Sequence, residues 1–211
     1  MNEIVDITLR SIWISGSATL LASSWSILFA YYLSKNPSVA KFIVSVLEGL
    51  VGIPTVLIGL LLYMLLSSRG PLGMLRLLYT PYSIIIGQAI LVTPLITSIC
   101  YRVLSRSWSD YGELALTLGA SEKQAIHLVL RESLPGIIAA IVMGFSRASG
   151  ELGIALMVGG NIRGYTRVLT TAIALEVSRG EFETALVLGS VLVVIVVTIS
   201  LSLRVLKRIH E

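Results

Sequence analysis

Five apolar runs decide what this chain can fold into: roughly Ile12–Leu33, Phe42–Leu66, Tyr82–Leu104, Gly136–Gly160 and Ala185–Leu206. About 20 consecutive apolar residues, as a helix, match the ~30 Å hydrocarbon thickness of a bilayer. Backbone groups in lipid must find their partners within the chain, so each run is expected as a helix. The fold class that follows is all-α: a polytopic membrane protein with five transmembrane helices in a single domain over residues 1–211. Only 13% of residues are charged, against about 25% in soluble domains, and the mean hydropathy is +0.88. The first run is too long for the core of a signal peptide, and Glu3 and Asp6 precede it instead of a basic leader, so it is expected as a mature span.

The net charge of +4 would suggest nucleic acid in a soluble protein; here it reflects an excess of Lys and Arg on cytoplasmic linkers, and no nucleic-acid partner is expected. One set of linkers holds Lys35, Lys41, Arg102, Arg106, Lys123, Arg131, Arg204, Lys207 and Arg208; the other holds Arg10, Arg69, Arg76, Arg163, Arg167 and Arg179. The larger set marks the cytoplasmic side, which puts the N-terminus outside and the C-terminus inside. Cys100 lies alone in an apolar run, and His127 and His210 are too few for a metal site, so none is expected.

Between the third and fourth runs lies the long amphipathic segment Asp110–Pro135. Leu114, Leu118, Ala125, Leu128 and Val129 recur at helical spacing, with Glu113, Glu122, Lys123, Gln124 and Arg131 on other faces. Gly119-Ala120 breaks the pattern, and Ser121 three residues before Gln124 has the form of a capping box. The prediction is helix, tight turn, helix over 110–134, each half of roughly ten residues and too short to cross a bilayer. A bent hairpin on the cytoplasmic side is a candidate docking element for a soluble partner, or simply an interfacial loop.

The hairpin residues resemble a known family. Glu113-x-Ala115, then Gly119-Ala120-Ser121 and the aliphatic Val129 ten positions after the glycine, resemble the EAA loop of ABC importer membrane subunits. Arg131 and Glu132 stand where that loop usually has Leu-Pro, and Leu134-Pro135 follows three residues later, so the second helix is expected about three residues longer than is usual. Further on, Gly144-Phe145-Ser146-Arg147-Ala148, Gly150-Glu151-x-Gly153 and Met157-Val158-Gly159-Gly160-Asn161-Ile162 resemble the molybdate and tungstate permeases. The stretch Thr166–Glu176 is closer to the tungstate branch.

The resemblance implies the ABC importer permease fold and a homodimeric pore in the plasma membrane, served by two cytoplasmic ATPase subunits and an external oxyanion-binding protein. Glu113, Ala115, Gly119, Ala120 and Ser121 would couple to the ATPase, moving the spans between inward-open and outward-open states. There is no GxxxxGK[ST] sequence, so ATP and its Mg belong to the partner, and the chain is expected to bind no cofactor and to have no catalytic residues of its own.

Candidate pathway residues are polar groups inside the runs. Arg147 and Glu151, four residues apart, can pair on one helical face. Ionisable groups at membrane depth usually face a bundle interior or an aqueous path; the pair either lines or gates the anion's route or locks two helices together. Thr93, Thr97, Ser146 and Ser149 offer hydroxyl donors, which suit an oxyanion that must be released, and which equally suit close helix packing. Outside the fourth run, Asn161, Arg163, Thr166, Arg167, Thr170 and Thr171 combine arginines with hydroxyls at the start of a short predicted helix, 166–178: an external mouth for the anion, or a surface that docks the binding protein. Gly49, Gly52, Pro54 and Gly59 read as packing and kink positions, and Glu48 as reaching the headgroups.

Two other classes compete. An intramembrane hydrolase needs a nucleophile–base pair at membrane depth, but no GxSxG occurs and both histidines lie outside the runs. An ATP-independent anion carrier would have no use for the hairpin. The same pathway chemistry fits molybdate or sulfate as well as tungstate.

Overall fold

The computed structural model describes residues 2–209, with side chains over 3–202. Arg204, Lys207 and Arg208, which enter the charge reading above, and His210, which enters the metal-site reading, therefore lie outside the described side chains. Among the described residues the secondary structure is entirely helical. Four helices are long and apolar enough to cross a membrane: α1 (Asn2–Ser34), α4 (Pro81–Ser107), α6 (Glu122–Ser149) and α9 (Phe182–Ile209). A fifth crossing is a broken one, α2 (Pro37–Leu50) and α3 (Thr55–Leu66), bent by 94°. Three short helices complete the set: α5 (Glu113–Thr117), α7 (Gly153–Gly159) and α8 (Leu169–Ser178).

The second run is thus two helices, for a local reason. Pro54 has no N–H to continue α2 and disfavours helical backbone at Ile53; at ψ 123 it becomes the residue from which α3 starts. The kink expected around Gly52 and Pro54 is present, as a right-angled break. Glu48 forms an exposed ion pair with Arg102 that ties α2 to α4.

The centre of the molecule is the pairing of α1 with α4 and of α4 with α6. Small residues let α1 approach closely: Ala18, Ala22 and Ala30 join Ile84, Ala89, Val92, Ile96 and Cys100 in one buried cluster. Three of the buried hydroxyls on α1 find an acceptor on α1 itself. Ser11, Thr19 and Ser23 each donate to the carbonyl one turn back, on Ile7, Ser15 and Thr19. Helix α7 wedges between α3 and α4, and Gly59 makes this possible: a Cβ there would lie 2.9 Å from Met157 Cβ. At Gly87, on the α4 side, a Cβ would collide with Ile154.

The fourth run is where the expected bounds shift. Instead of one helix over Gly136–Gly160, α6 begins at Glu122, passes through Pro135, and ends at Ser149; residues 150–152 are irregular, and α7 follows. Leu134-Pro135 therefore does not end the hairpin's second helix. Arg131, whose carbonyl loses its helical partner to the proline, stands in the exposed first half of α6. At 1.5 Å per residue α6 is about 42 Å long, enough to leave the bilayer and form the hairpin's second arm. The short helix expected over 166–178 starts at Leu169, because Thr166 is used in the preceding turn.

Candidate functional site

At the hairpin, α4 does not stop before the turn. A π-turn at Trp108–Gly112 carries it into α5, and Gly112 permits this, since a Cβ there would lie 2.9 Å from the Trp108 ring. The turn falls where Gly119-Ala120 predicts it, with Gly119 at φ +88, a left-handed value that suits glycine. The Ser121 capping box is formed: Gln124 N–H donates to Ser121 Oγ (3.4 Å) and Ser121 N–H to Gln124 Oε1 (2.8 Å).

The two arms differ in what they bury. Ala125 and Val129 pack inward, whereas Glu113, Leu114, Leu116 and Leu118 point outward, Leu118 being 80% exposed. A Cβ at Gly119 would meet nothing within 4 Å. The tip is an apolar, sterically open surface. Its base is fixed by Lys35, which sequence reasoning counted only as a loop charge. Lys35 Nζ lies 2.8 Å from Glu122 and within 5.2 Å and 5.6 Å of the Trp108 and Tyr31 ring centres. The hydrogen bond with Glu122 pushes the Lys35 ammonium above its usual range, so it stays charged and tethers the start of α6 to the end of α1.

A polar knot forms at the other end of α6. Glu151 is 2% exposed, and both carboxylate oxygens are used: Oε2 pairs with Arg147 Nη1 at 3.0 Å and Oε1 accepts the Ile154 N–H at 3.0 Å. Its backbone carbonyl accepts from Thr170 Oγ at 2.8 Å, which ties the break to α8. Gln88, buried in α4 and missed by sequence reasoning, donates to the Ala148 carbonyl at 3.0 Å; a lone amide inside an apolar run was the available signal. Ser149 Oγ and Gln88 Oε1 are buried without a partner. Arg147 is 36% exposed, and Ser146 beside it is half-buried. Removing Arg147 would strand the buried Glu151 carboxylate, at a cost of up to about 3–5 kcal/mol, whereas Arg147, over a third exposed, would lose less on removal of Glu151.

Thr93 and Thr97 are not part of this knot. Thr93 Oγ donates to the Ala89 carbonyl and accepts from Trp25 Nε1 (2.8 Å), so it fastens α4 to α1. Thr97 is fully buried with a free hydroxyl.

The loop after α7 places the remaining candidates. Thr166 Oγ donates to the Gly159 carbonyl and accepts from Ile162 N–H, and Thr171 caps α8 at Val168, so these hydroxyls face the protein, as does that of Thr170. Asn161, at φ +51, accepts from Arg167 Nε. Arg163 makes a two-pronged ion pair with Glu3 at 2.8 and 2.6 Å, which pushes its guanidinium up further, and Arg167 approaches the same carboxylate at 3.6 Å. Arg10 donates to the backbone carbonyls of Arg167 and Gly164. A cavity of about 260 Å³ opens here, bordered by Glu3, Arg163, Arg167, Glu176 and Arg179 above Ile4, Ile7 and Leu188. Arg179 pairs with Glu176 at 3.2 Å, so the rim holds three guanidiniums and two carboxylates. No group of His, Cys, Asp and Glu among the described residues could hold a metal.

Comparison with known proteins decides the family. The pattern of the binding-protein-dependent transport system inner membrane component matches residues 22–211. The chain belongs to this family. It is a multi-pass permease subunit, a transport component and not an ATPase. Its relatives agree. A tungstate uptake system permease protein of Peptoclostridium acidaminophilum is 39% identical over 194 residues, covering 92% of this chain and 85% of that protein. A probable anion ABC transporter permease of Haloferax volcanii is 33% identical over 206 residues, covering 95% and 89%. The tungstate uptake permease of Campylobacter jejuni is 33% identical over 199 residues, covering 90% and 83%.

Proposed function

We propose that two copies of this permease form the pore of an ATP-driven importer that carries a tetrahedral oxyanion, tungstate, into the cell. The observation that carries the reading is the continuity of α6. One unbroken helix joins the hairpin turn at Gly119-Ala120-Ser121 to the Arg147–Glu151 knot. From Glu122 to Arg147 the axis runs about 38 Å. A push on the hairpin is therefore delivered at the far end of the helix, where the ionisable pair sits at the break between α6 and α7.

In this reading the N-terminus is outside, and the hairpin and C-terminus are cytoplasmic. Each ATPase subunit, which binds ATP and Mg, receives one hairpin. Leu114, Leu116 and Leu118 supply apolar contact, Glu113 a polar one, and Ala115, Gly119, Ala120 and Ser121 the close approach that larger side chains would prevent. An external binding protein delivers the anion to the Asn161–Thr170 loop, where Arg163 and Arg167 stand over the cavity and Thr166 and Thr170 hold the loop's shape. Arg147 and Ser146 meet the anion next. Thr97 and Ser149, buried and unpartnered in this packing, become donors when the helices part.

Support for tungstate comes from the relatives' names, two of which are tungstate uptake permeases. Co-purification tests the coupling. The ATPase subunit is expected to purify with the wild-type chain and to be lost with Leu118→Asp, which at an exposed position leaves the permease in the membrane. An ATPase that still accompanies Leu118→Asp removes the hairpin from the coupling role.

A further inference from the structure

On the reading that Arg147 lies on the anion's route, we infer that Glu151 is a tethered counter-ion, which competes with the transported oxyanion for Arg147 and so lets it go. The pair is unequal. Glu151 is almost completely enclosed, with each carboxylate oxygen and its backbone carbonyl matched to Arg147, Ile154 N–H and Thr170 Oγ. Arg147 spends one N–H on Glu151; its other donors make no hydrogen bond with the described residues, and about a third of its side chain is open. The free donors are what a tetrahedral oxyanion needs. The charge is not free, because Glu151 already balances it.

That balance suits a transporter. A dianion at an unbalanced arginine inside a low-dielectric bundle is held too well, and conduction needs a site that binds weakly enough to release. With Glu151 in place the anion meets hydrogen-bond donors and little net charge. Glu151 also sits in the irregular segment between α6 and α7, so its reach to Arg147 depends on how the two helices are set. A movement of α6 that loosens the carboxylate exposes the positive charge and favours capture; its return expels the anion.

The test uses the assembled complex of this chain with its ATPase, measuring tungstate retained at equilibrium and ATP-driven uptake in proteoliposomes. Glu151→Gln keeps an oxygen for Ile154 N–H and removes the charge. It is expected to retain tungstate at least about tenfold more tightly, equivalent to about 1.4 kcal/mol, and to turn over more slowly. Glu151→Asp keeps the charge and should retain no more than wild type. Arg147→Ala should lose uptake. Unchanged retention in Glu151→Gln together with lost uptake in Arg147→Ala overturns the counter-ion role and leaves the pathway reading standing. Normal uptake in Arg147→Ala overturns the pathway reading itself. Should Glu151→Gln not assemble, the comparison is tungstate retention by Arg147→Ala and by the double variant R147A/E151Q: the double is expected to retain more, because no lone carboxylate repels the dianion, and equal retention overturns the inference.

Discussion

Two glycines illustrate how differently single residues are constrained. Gly119 holds a left-handed backbone in open space, so a side chain there costs about 1–2 kcal/mol of local strain and no clash. Gly119→Asp is expected to leave the protein in the membrane, because the turn is outside the core, and to abolish ATP-driven uptake by holding the ATPase away. Transport by the assembled complex in vesicles, beside the amount of permease in the membrane, checks this. Gly87 is the converse, with helical backbone but no room beside Ile154. Gly87→Ala should destabilise the protein by about 1–3 kcal/mol, read as a lower thermal midpoint in detergent, while Gly189→Ala, whose Cβ would meet nothing within 4 Å inside α9, should not lower it. At this scale the turn and the capping box were legible, since Gly119, Ser121 and Gln124 act through backbone geometry that sequence spacing specifies. The directions of Thr93, Thr166 and Thr170 were not. A hydroxyl's type is written in the sequence, but whether it faces a neighbouring carbonyl or an open path depends on packing.

Among the elements, α6 carries the account. Its first half is amphipathic and its second apolar, so hydropathy divides it at Pro135 although the helix does not. Hydropathy likewise runs on through Gly150-Glu151-Leu152, because a three-residue break inside an apolar stretch leaves composition unchanged. The helical nature of the runs was legible, since lipid admits little else; which of them bend or break was set by Pro54 and by the Glu151 knot. If α6 works as a rigid link, replacing Ile138-Ala139, which are not part of the buried core, with Gly-Gly should loosen it at a cost of about 1 kcal/mol per glycine. ATP hydrolysis by the complex is expected to persist while uptake falls severalfold. Parallel loss or parallel retention of both would show that α6 does not transmit the movement.

The molecule as a whole offers an anion few features that could separate tungstate from molybdate, which share shape and charge. Selectivity is therefore expected in the external binding protein: in a competition titration it should prefer tungstate to molybdate and sulfate, and permease variants at Arg147 should change rates without changing that order. The cavity rimmed by Arg163, Arg167 and Arg179 is neutralised in part by Glu3 and Glu176, consistent with a surface that receives and passes on an anion. On the proposed mechanism this chain conducts tungstate only when driven through its hairpin. Uptake of radiolabelled tungstate by proteoliposomes containing the permease, its ATPase and the binding protein tests it most directly. Accumulation is expected with ATP inside, Mg and loaded binding protein present, and is expected to vanish when any of these is withheld; accumulation that continues without ATP would contradict it.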